Sequence, residues 1–190
     1  MKKYLLTIAI LLLGLTYAQA QSMQGVFVSP IFEISELEAD VTLGMGFAVG
    51  TNVNNWHVAA YGLRTVRSGE SGDIGSWHNL RLTSGGLWIA YQRPVSQYVS
   101  VNAGMKMGLG QITREWNILN ELSGVDKANL TMLTPEIGVE LALSDRVSIG
   151  YTSGFRWAMS MEHMPDFSTR DVNALSNTVT LKFALLGSIR

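Results

Sequence analysis

The sequence predicts an all-β protein: an eight-stranded antiparallel up-and-down transmembrane β-barrel, preceded by a cleavable signal peptide. Three observations carry that expectation. The chain opens with a short apolar leader, most of the remainder alternates apolar and small polar residues with period two, and the connections between alternating segments are short and long in turn.

The leader is residues 1–20. Lys2 and Lys3 supply a positive start, residues 5–15 form an apolar run, and Ala18-Gln19-Ala20 offers small residues where a signal peptidase reads. The run is shorter than the roughly 20 residues a spanning helix needs. A mature domain is therefore expected over 21–190. The chain has 190 residues and no cysteine, so no lipoprotein anchor follows the cleavage site. Without Lys2 and Lys3, the 14 basic residues fall to 12 against 15 acidic ones, a net of −3. That is no footprint for nucleic acid. Charged residues make up only 15% of the chain, and with no apolar stretch of helix-spanning length after the leader this leaves a soluble β-domain or a membrane barrel.

The first strand, near 25–35, carries Pro30, which cannot donate to a ladder and predicts a bulge or a locally broken pair. In the second, Val41, Leu43, Met45, Phe47 and Val49 oppose Thr42, Gly44, Gly46, Ala48 and Gly50. The third, 56–66, alternates weakly. The fourth, 80–92, changes phase between Leu82 and Leu87, and Ser84-Gly85-Gly86 is expected to form a β-bulge there. The fifth sets Val99, Val101, Ala103, Met105 and Met107 against Ser100, Asn102, Gly104, Lys106 and Gly108. The sixth sets Ile137, Val139 and Leu141 against Glu136, Gly138 and Glu140. In the seventh, Val147, Ile149, Tyr151, Phe155 and Trp157 share a face opposite Ser148, Gly150, Thr152, Gly154 and Arg156. The eighth places Leu175, Val179, Leu181, Phe183 and Leu185 opposite Ser176, Thr178, Thr180 and Lys182.

Connections at 51–55, 93–97 and 144–145 are short. Those at 67–79, 113–129 and 158–174 are long, and only 36–40 breaks the pattern. Short turns at one end and long loops at the other are the outer-membrane arrangement, with the short turns periplasmic. A soluble lipocalin-like barrel, the competing architecture, would point its polar face at water and load it with charge. Here that face is mostly Gly, Ser and Thr with isolated charges, which fits a narrow lumen. The apolar face stays nearly uncharged over about 9–11 residues per strand, enough to cross hydrocarbon on a tilt. Tyr91, Tyr151 and Trp157 suit interfacial aromatic belts.

With these segments and turns, residues 21–190 resemble the small outer-membrane barrels typified by the OmpA membrane domain and OmpX. The resemblance rests on architecture rather than on a diagnostic motif. It implies a place in the bacterial outer membrane, contact with its lipid, and assembly by the outer-membrane insertion machinery. Such chains often end on an aromatic residue. This one ends Gly187-Ser188-Ile189-Arg190, leaving Phe183 and Leu185 of the last strand to serve instead.

Candidate chemistry is sparse. His57 lies by a short turn, while His78 and His163 lie in long loops. Glu162, His163 and Asp166 could ligate a metal, but a loop histidine among polar neighbours is ordinarily just solvated. Ser76 and His78 could join a Ser/His/acid site, a pattern common by chance. The His-x-Ser-Asn pattern of lipid A deacylases is absent: His57 precedes Val-Ala and His78 precedes Asn-Leu. Glu136 and Glu140, four strand residues apart, lie roughly 13 Å from each other. That is too far for a glycosidase pair, which sits about 5–9.5 Å apart. Glu33, Arg64, Lys106 and Glu136 are instead expected to form a layer of lumen charges, extended by Glu140, Arg156 and Lys182. Trp116, Ile118, Leu119, Leu122, Met159, Met161, Met164 and Phe167 in the loops offer a partner surface or pack over the barrel mouth, and 114–122 has the spacing of a short amphipathic helix.

The function expected is that of a non-enzymatic outer-membrane protein, structural or surface-interacting, with loops free to meet an extracellular ligand. No cofactor, metal or catalytic residue is expected. The alternatives are a lipid-modifying enzyme, a narrow solute channel, or the soluble barrel. A general porin is disfavoured because eight strands leave an interior that side chains fill.

Overall fold

The computed structural model describes residues 23–37, 40–70, 77–118, 122–162 and 168–187, so the leader lies outside the described residues. Eight strands follow in chain order: β1 (Met23–Leu37), β2 (Asp40–Val53), β3 (Trp56–Glu70), β4 (Trp77–Pro94), β5 (Val99–Ile118), β6 (Leu122–Ala142), β7 (Val147–Met161) and β8 (Ala174–Gly187). Each pairs antiparallel with the next, and β8 returns to β1, closing the barrel. A 3-10 turn, Thr169–Asp171, leads into β8.

The stagger of that closure follows from the register. The line of paired residues that leaves β1 at Gly25 runs through Asn52, His57, Ala90, Gly104, Glu136, Gly154 and Ser176. It re-enters β1 at Ser35, ten residues farther along. Eight strands with that shear tilt by roughly 40° from the barrel axis, given about 3.3 Å per residue and 4.8 Å between strands. A barrel of this size has a lumen that side chains can fill.

The strands outrun the expected segments. Residues 113–118 stay paired with 122–127, so the long connection expected over 113–129 is largely hairpin. The short helix expected over 114–122 is not formed among the described residues. Residues 114–118 are strand, and the ladder supplies their backbone partners although their mixed polarity gives no alternation to read. The bulge expected at Ser84-Gly85-Gly86 is also absent. Both ladders of β4 run without a register shift, and Leu80, Leu82, Ser84, Trp88 and Ala90 all point inward. The apparent phase change has another cause: the inner face itself turns apolar near the long loops. Pro30 keeps its pairing with Phe47 on β2, while the β1–β8 pairs resume only at Ile31 after Val28. The missing N–H thus leaves a broken pair at Pro30, and the register shift of this ladder falls between Val26 and Phe27.

The interior has two apolar clusters. At the long-loop end, Leu37, Leu80, Leu82, Ile112, Ala128, Leu130, Met132 and Val172 pack together, none more than 4% exposed. Lower down and to one side lie Phe27, Ile31, Ala48, Ala59, Tyr61, Leu63 and Trp88. Gly108 permits the second packing. A Cβ there would lie 2.7 Å from the Tyr61 hydroxyl and 2.6 Å from the Gly85 carbonyl oxygen.

Candidate functional site

Between and beside the apolar clusters runs a column of paired charges, and β8 serves as its ruler. Near the top, opposite Ala174, Arg156 reaches across from β7 to β1. Its Nη1 donates to Glu33 Oε1 at 3.2 Å and to Ser35 Oγ at 3.2 Å. Its Nη2 donates to the Glu36 carbonyl at 2.7 Å, and its Nε to the Val172 carbonyl at 3.0 Å. These contacts tie separate stretches of chain to one planar group. Around the level of Thr178, Lys106 Nζ sits 2.9 Å from Glu136 Oε2 and 3.4 Å from Thr178 Oγ1. Lower still, Lys182 pairs with Glu140, whose other oxygen accepts from Ser148 Oγ at 2.7 Å. All six ionised side chains are at most 5% exposed.

Trp88 links the two lower pairs. Its ring lies 5.5 Å from Lys106 Nζ and 5.4 Å from Lys182 Nζ, and Phe27 faces Lys182 at 5.5 Å. Such ring faces attract a desolvated ammonium. Glu136 is the least satisfied member, because its Oε1 has no protein partner. The six residues occupy successive levels along β8, not one layer.

Arg64 belongs to none of these levels. The inward residues of β3 are His57, Ala59, Tyr61, Leu63 and Thr65, which puts Arg64 on the outer face, exposed. The sequence misleads here because the inner face of β3 carries the large apolar Tyr61 and Leu63, while its outer face beside Arg64 carries only Ala60 and Gly62.

The outer face is apolar over a defined height. On β4 the outward residues between Arg81 and Arg93 are uncharged. About twelve residues on a strand tilted by roughly 40° span roughly 30 Å along the axis. A hydrocarbon core is about as thick. Arg64, paired with Thr83, sits at the upper margin of this band, where a long side chain can reach the interface. Just above it the half-buried pair Arg81–Glu115 closes at 2.9 Å. Trp56 and Tyr91 meet edge to face at 5.2 Å by the short turns, and Phe155 and Trp157 at 5.5 Å toward the other end. Within the band, Asn177 on the outer face accepts from the Tyr151 hydroxyl at 2.8 Å, which satisfies a polar group where hydrocarbon offers no partner.

Solved structures share this architecture. Neisserial surface protein A aligns with a TM-score of 0.55 at 10% identity, covering 83% of this chain and 94% of its own. A major outer membrane protein from Thermus thermophilus aligns at 0.52 and 10% identity, covering 84% and 99%. The fold is that of the small eight-stranded outer-membrane barrels. No family model matches the chain, and no curated protein matches it in sequence.

The lumen changes character at the short-turn end. A cavity of about 240 Å³ opens there, lined by residues 52–57, 92–100 and 140–142 in part. Its floor is His57, whose Nδ1 contacts Asn52 Oδ1 at 2.6 Å and whose Nε2 meets the Gln92 amide. Phe27 holds the imidazole edge to face at 5.9 Å. Sequence reading singles out His57 but not its amide partners, because three strands of different register bring them together. It also misses the apolar inner cluster, although Leu80, Leu82, Ile112, Leu130 and Met132 carry its signal by sharing parity with polar lumen residues. At the long-loop end, Met159 is exposed and Met161 packs against the apolar cluster. Ser76, His163, Met164, Asp166, Phe167 and Leu119 lie outside the described residues. His78, Trp116, Ile118 and Leu122 are described only as strand backbone. Among the described residues no three His, Asp or Glu side chains gather as a metal site.

Proposed function

We propose that residues 21–190 form an integral protein of the bacterial outer membrane, exported by a signal peptide cleaved after Ala20. It acts without catalysis, as a structural or surface-interaction element. One observation carries this reading: the lumen is filled along most of its length while the outer wall is apolar. The upper cluster excludes water, and below it the charges are neutralised in pairs, so the lumen is built to be stable and not to conduct. In this reading Glu33, Lys106, Glu136, Glu140, Arg156 and Lys182 have a structural role. Lipid contacts the uncharged band, the insertion machinery assembles the barrel, and the long loops face the exterior, where a ligand meets them.

The test joins two measurements on the purified protein. A folded membrane barrel requires detergent and shifts its gel mobility on boiling. In a planar bilayer it should show no stable conductance. A soluble barrel would fail the first measurement, and steady single-channel steps in the second would replace the structural reading with a channel.

A further inference from the structure

The cavity at the short-turn end is a site of unusual composition for a lumen so rich in charge. We infer that it binds a neutral saccharide unit, about one ring deep. Four features point to that chemistry. Its volume, about 240 Å³, lies just below the range of about 300–1,000 Å³ typical of small-molecule pockets, and far above what one water needs.

The wall is neutral. Five amide side chains line it, Gln92 and Gln97 among them, and its one ionised group, Glu140, is committed to Lys182 and Ser148. A charged ligand would lose its hydration and find no free counter-charge.

The floor is fixed. Asn52, His57 and Glu140 are each no more than 4% exposed, and the imidazole engages one polar atom on each of two amides. The imidazole engages the oxygen of each amide, so these two side chains offer chiefly their NH2 donors, while Asn54, Asn55 and Gln97 bring further amide oxygens to the lining. A sugar hydroxyl needs both at once.

Finally, Tyr98 stands at the rim as an exposed ring, a flat surface for the C–H face of a pyranose. Its turn is pinned: Ser96 Oγ accepts from the backbone N–H of Tyr98 at 3.3 Å and of Val99 at 3.1 Å. The rim is therefore arranged before a ligand arrives, which lowers the entropic cost of binding.

On the topology proposed above the site faces the periplasm, but binding itself does not depend on that topology. The experiment is saturation-transfer NMR on the full barrel in a detergent without a sugar headgroup. The probes are glucose, N-acetylglucosamine, its β-1,4-linked disaccharide, and an uncharged blocked dipeptide. We expect transfer to the saccharides at millimolar concentration. It should fall at least fivefold in Tyr98→Ala and in Gln97→Ala, two rim variants that leave the floor and the strands intact, and stay unchanged in Arg64→Gln. A stronger signal from the disaccharide than from either monosaccharide would identify a glycan chain over a free sugar as the source, and either pattern supports the site. No saccharide transfer, transfer indifferent to both rim variants, or preference for the dipeptide overturns it. Boiling-dependent gel mobility, measured on each sample, separates loss of the site from loss of the barrel.

Discussion

At the scale of single residues, the lumen charges differ in how much depends on them. Lys106 and Glu136 are each other's main partner. Removing one side strands a buried charge, at a cost of about 3–5 kcal/mol, whereas replacing both with apolar groups costs far less. Lys106→Met and Glu136→Leu should therefore each lower the unfolding midpoint in urea, and the double variant should recover much of the loss. Additive losses would show that the two are uncoupled. Arg156 holds separate stretches of chain together, so Arg156→Leu should cost at least as much. Arg64→Gln, by contrast, should stay within about 0.5 kcal/mol, as exposed substitutions do. A large loss for Arg64→Gln would return it to the interior. The difference between these two arginines also marks the limit of reading the site from sequence. Parity assigns a face where neighbours differ in size, as Gly154, Arg156 and Trp157 do. It fails on β3, where the large Tyr61 and Leu63 face inward and the small Ala60 and Gly62 outward. It says nothing of partners, because those depend on a shear of ten that no single strand encodes.

At the scale of elements, the turns and ladder ends are specified by a few hydrogen bonds. In the turn between β2 and β3, Asn54 adopts φ 54°, the left-handed region that Asn and Gly tolerate. Asn54→Gly should be close to neutral and Asn54→Val should cost about 1–2 kcal/mol, read from unfolding in urea. Equal effects would mean that the turn relaxes. The β6–β7 ladder ends in a clamp: Glu162 Oε2 accepts from the Asn129 backbone at 3.1 Å and from its side chain at 2.9 Å. Those bonds, the backbone one first, hold the carboxyl below its ordinary value of 4.5. The lowered value belongs to the folded state, so the clamp is complete above pH 4.5 and is lost as pH falls through the lower folded value. An NMR titration should find the Glu162 carboxyl midpoint below 4.5, and Asn129→Ala should return it toward 4.5. Strands β2, β5, β7 and β8 were legible because one face is large and the other small. β4 was not, because Leu80 and Leu82 point into an apolar end of the lumen and mimic an outward face. Nor were the extended ends of β5 and β6, where both faces are mixed and only the ladder keeps the chain extended.

At the scale of the whole molecule, sidedness is directly testable because the chain has no cysteine to interfere. Ser168→Cys, in the connection into β8, should react with a membrane-impermeant maleimide on intact cells, and Gln97→Cys should react only after the envelope is opened. The reverse pattern would invert the barrel. The order of the strands has a further consequence, which concerns how the wall comes together in time. Every ladder but one joins strands consecutive in the chain, and a local hairpin closes only a small loop. The exception is β1–β8, where Ser35 meets Ser176 and Gly25 meets Gly187. Loop-closure entropy grows with the logarithm of separation, about 0.6 kcal/mol per doubling, and must be met before the contacts return anything. The same seam carries the gap at Pro30, so it has the longest closure and an interrupted ladder together. An unfinished barrel is then a curled sheet with β1 and β8 as bare edges, each a template for another chain. Weakening the β1–β8 seam with Leu186→Gly, at a position whose strand partner is Val26 of β1, should mainly speed unfolding. The same change within a hairpin, Val139→Gly, should slow folding, because those contacts form before the circle is joined.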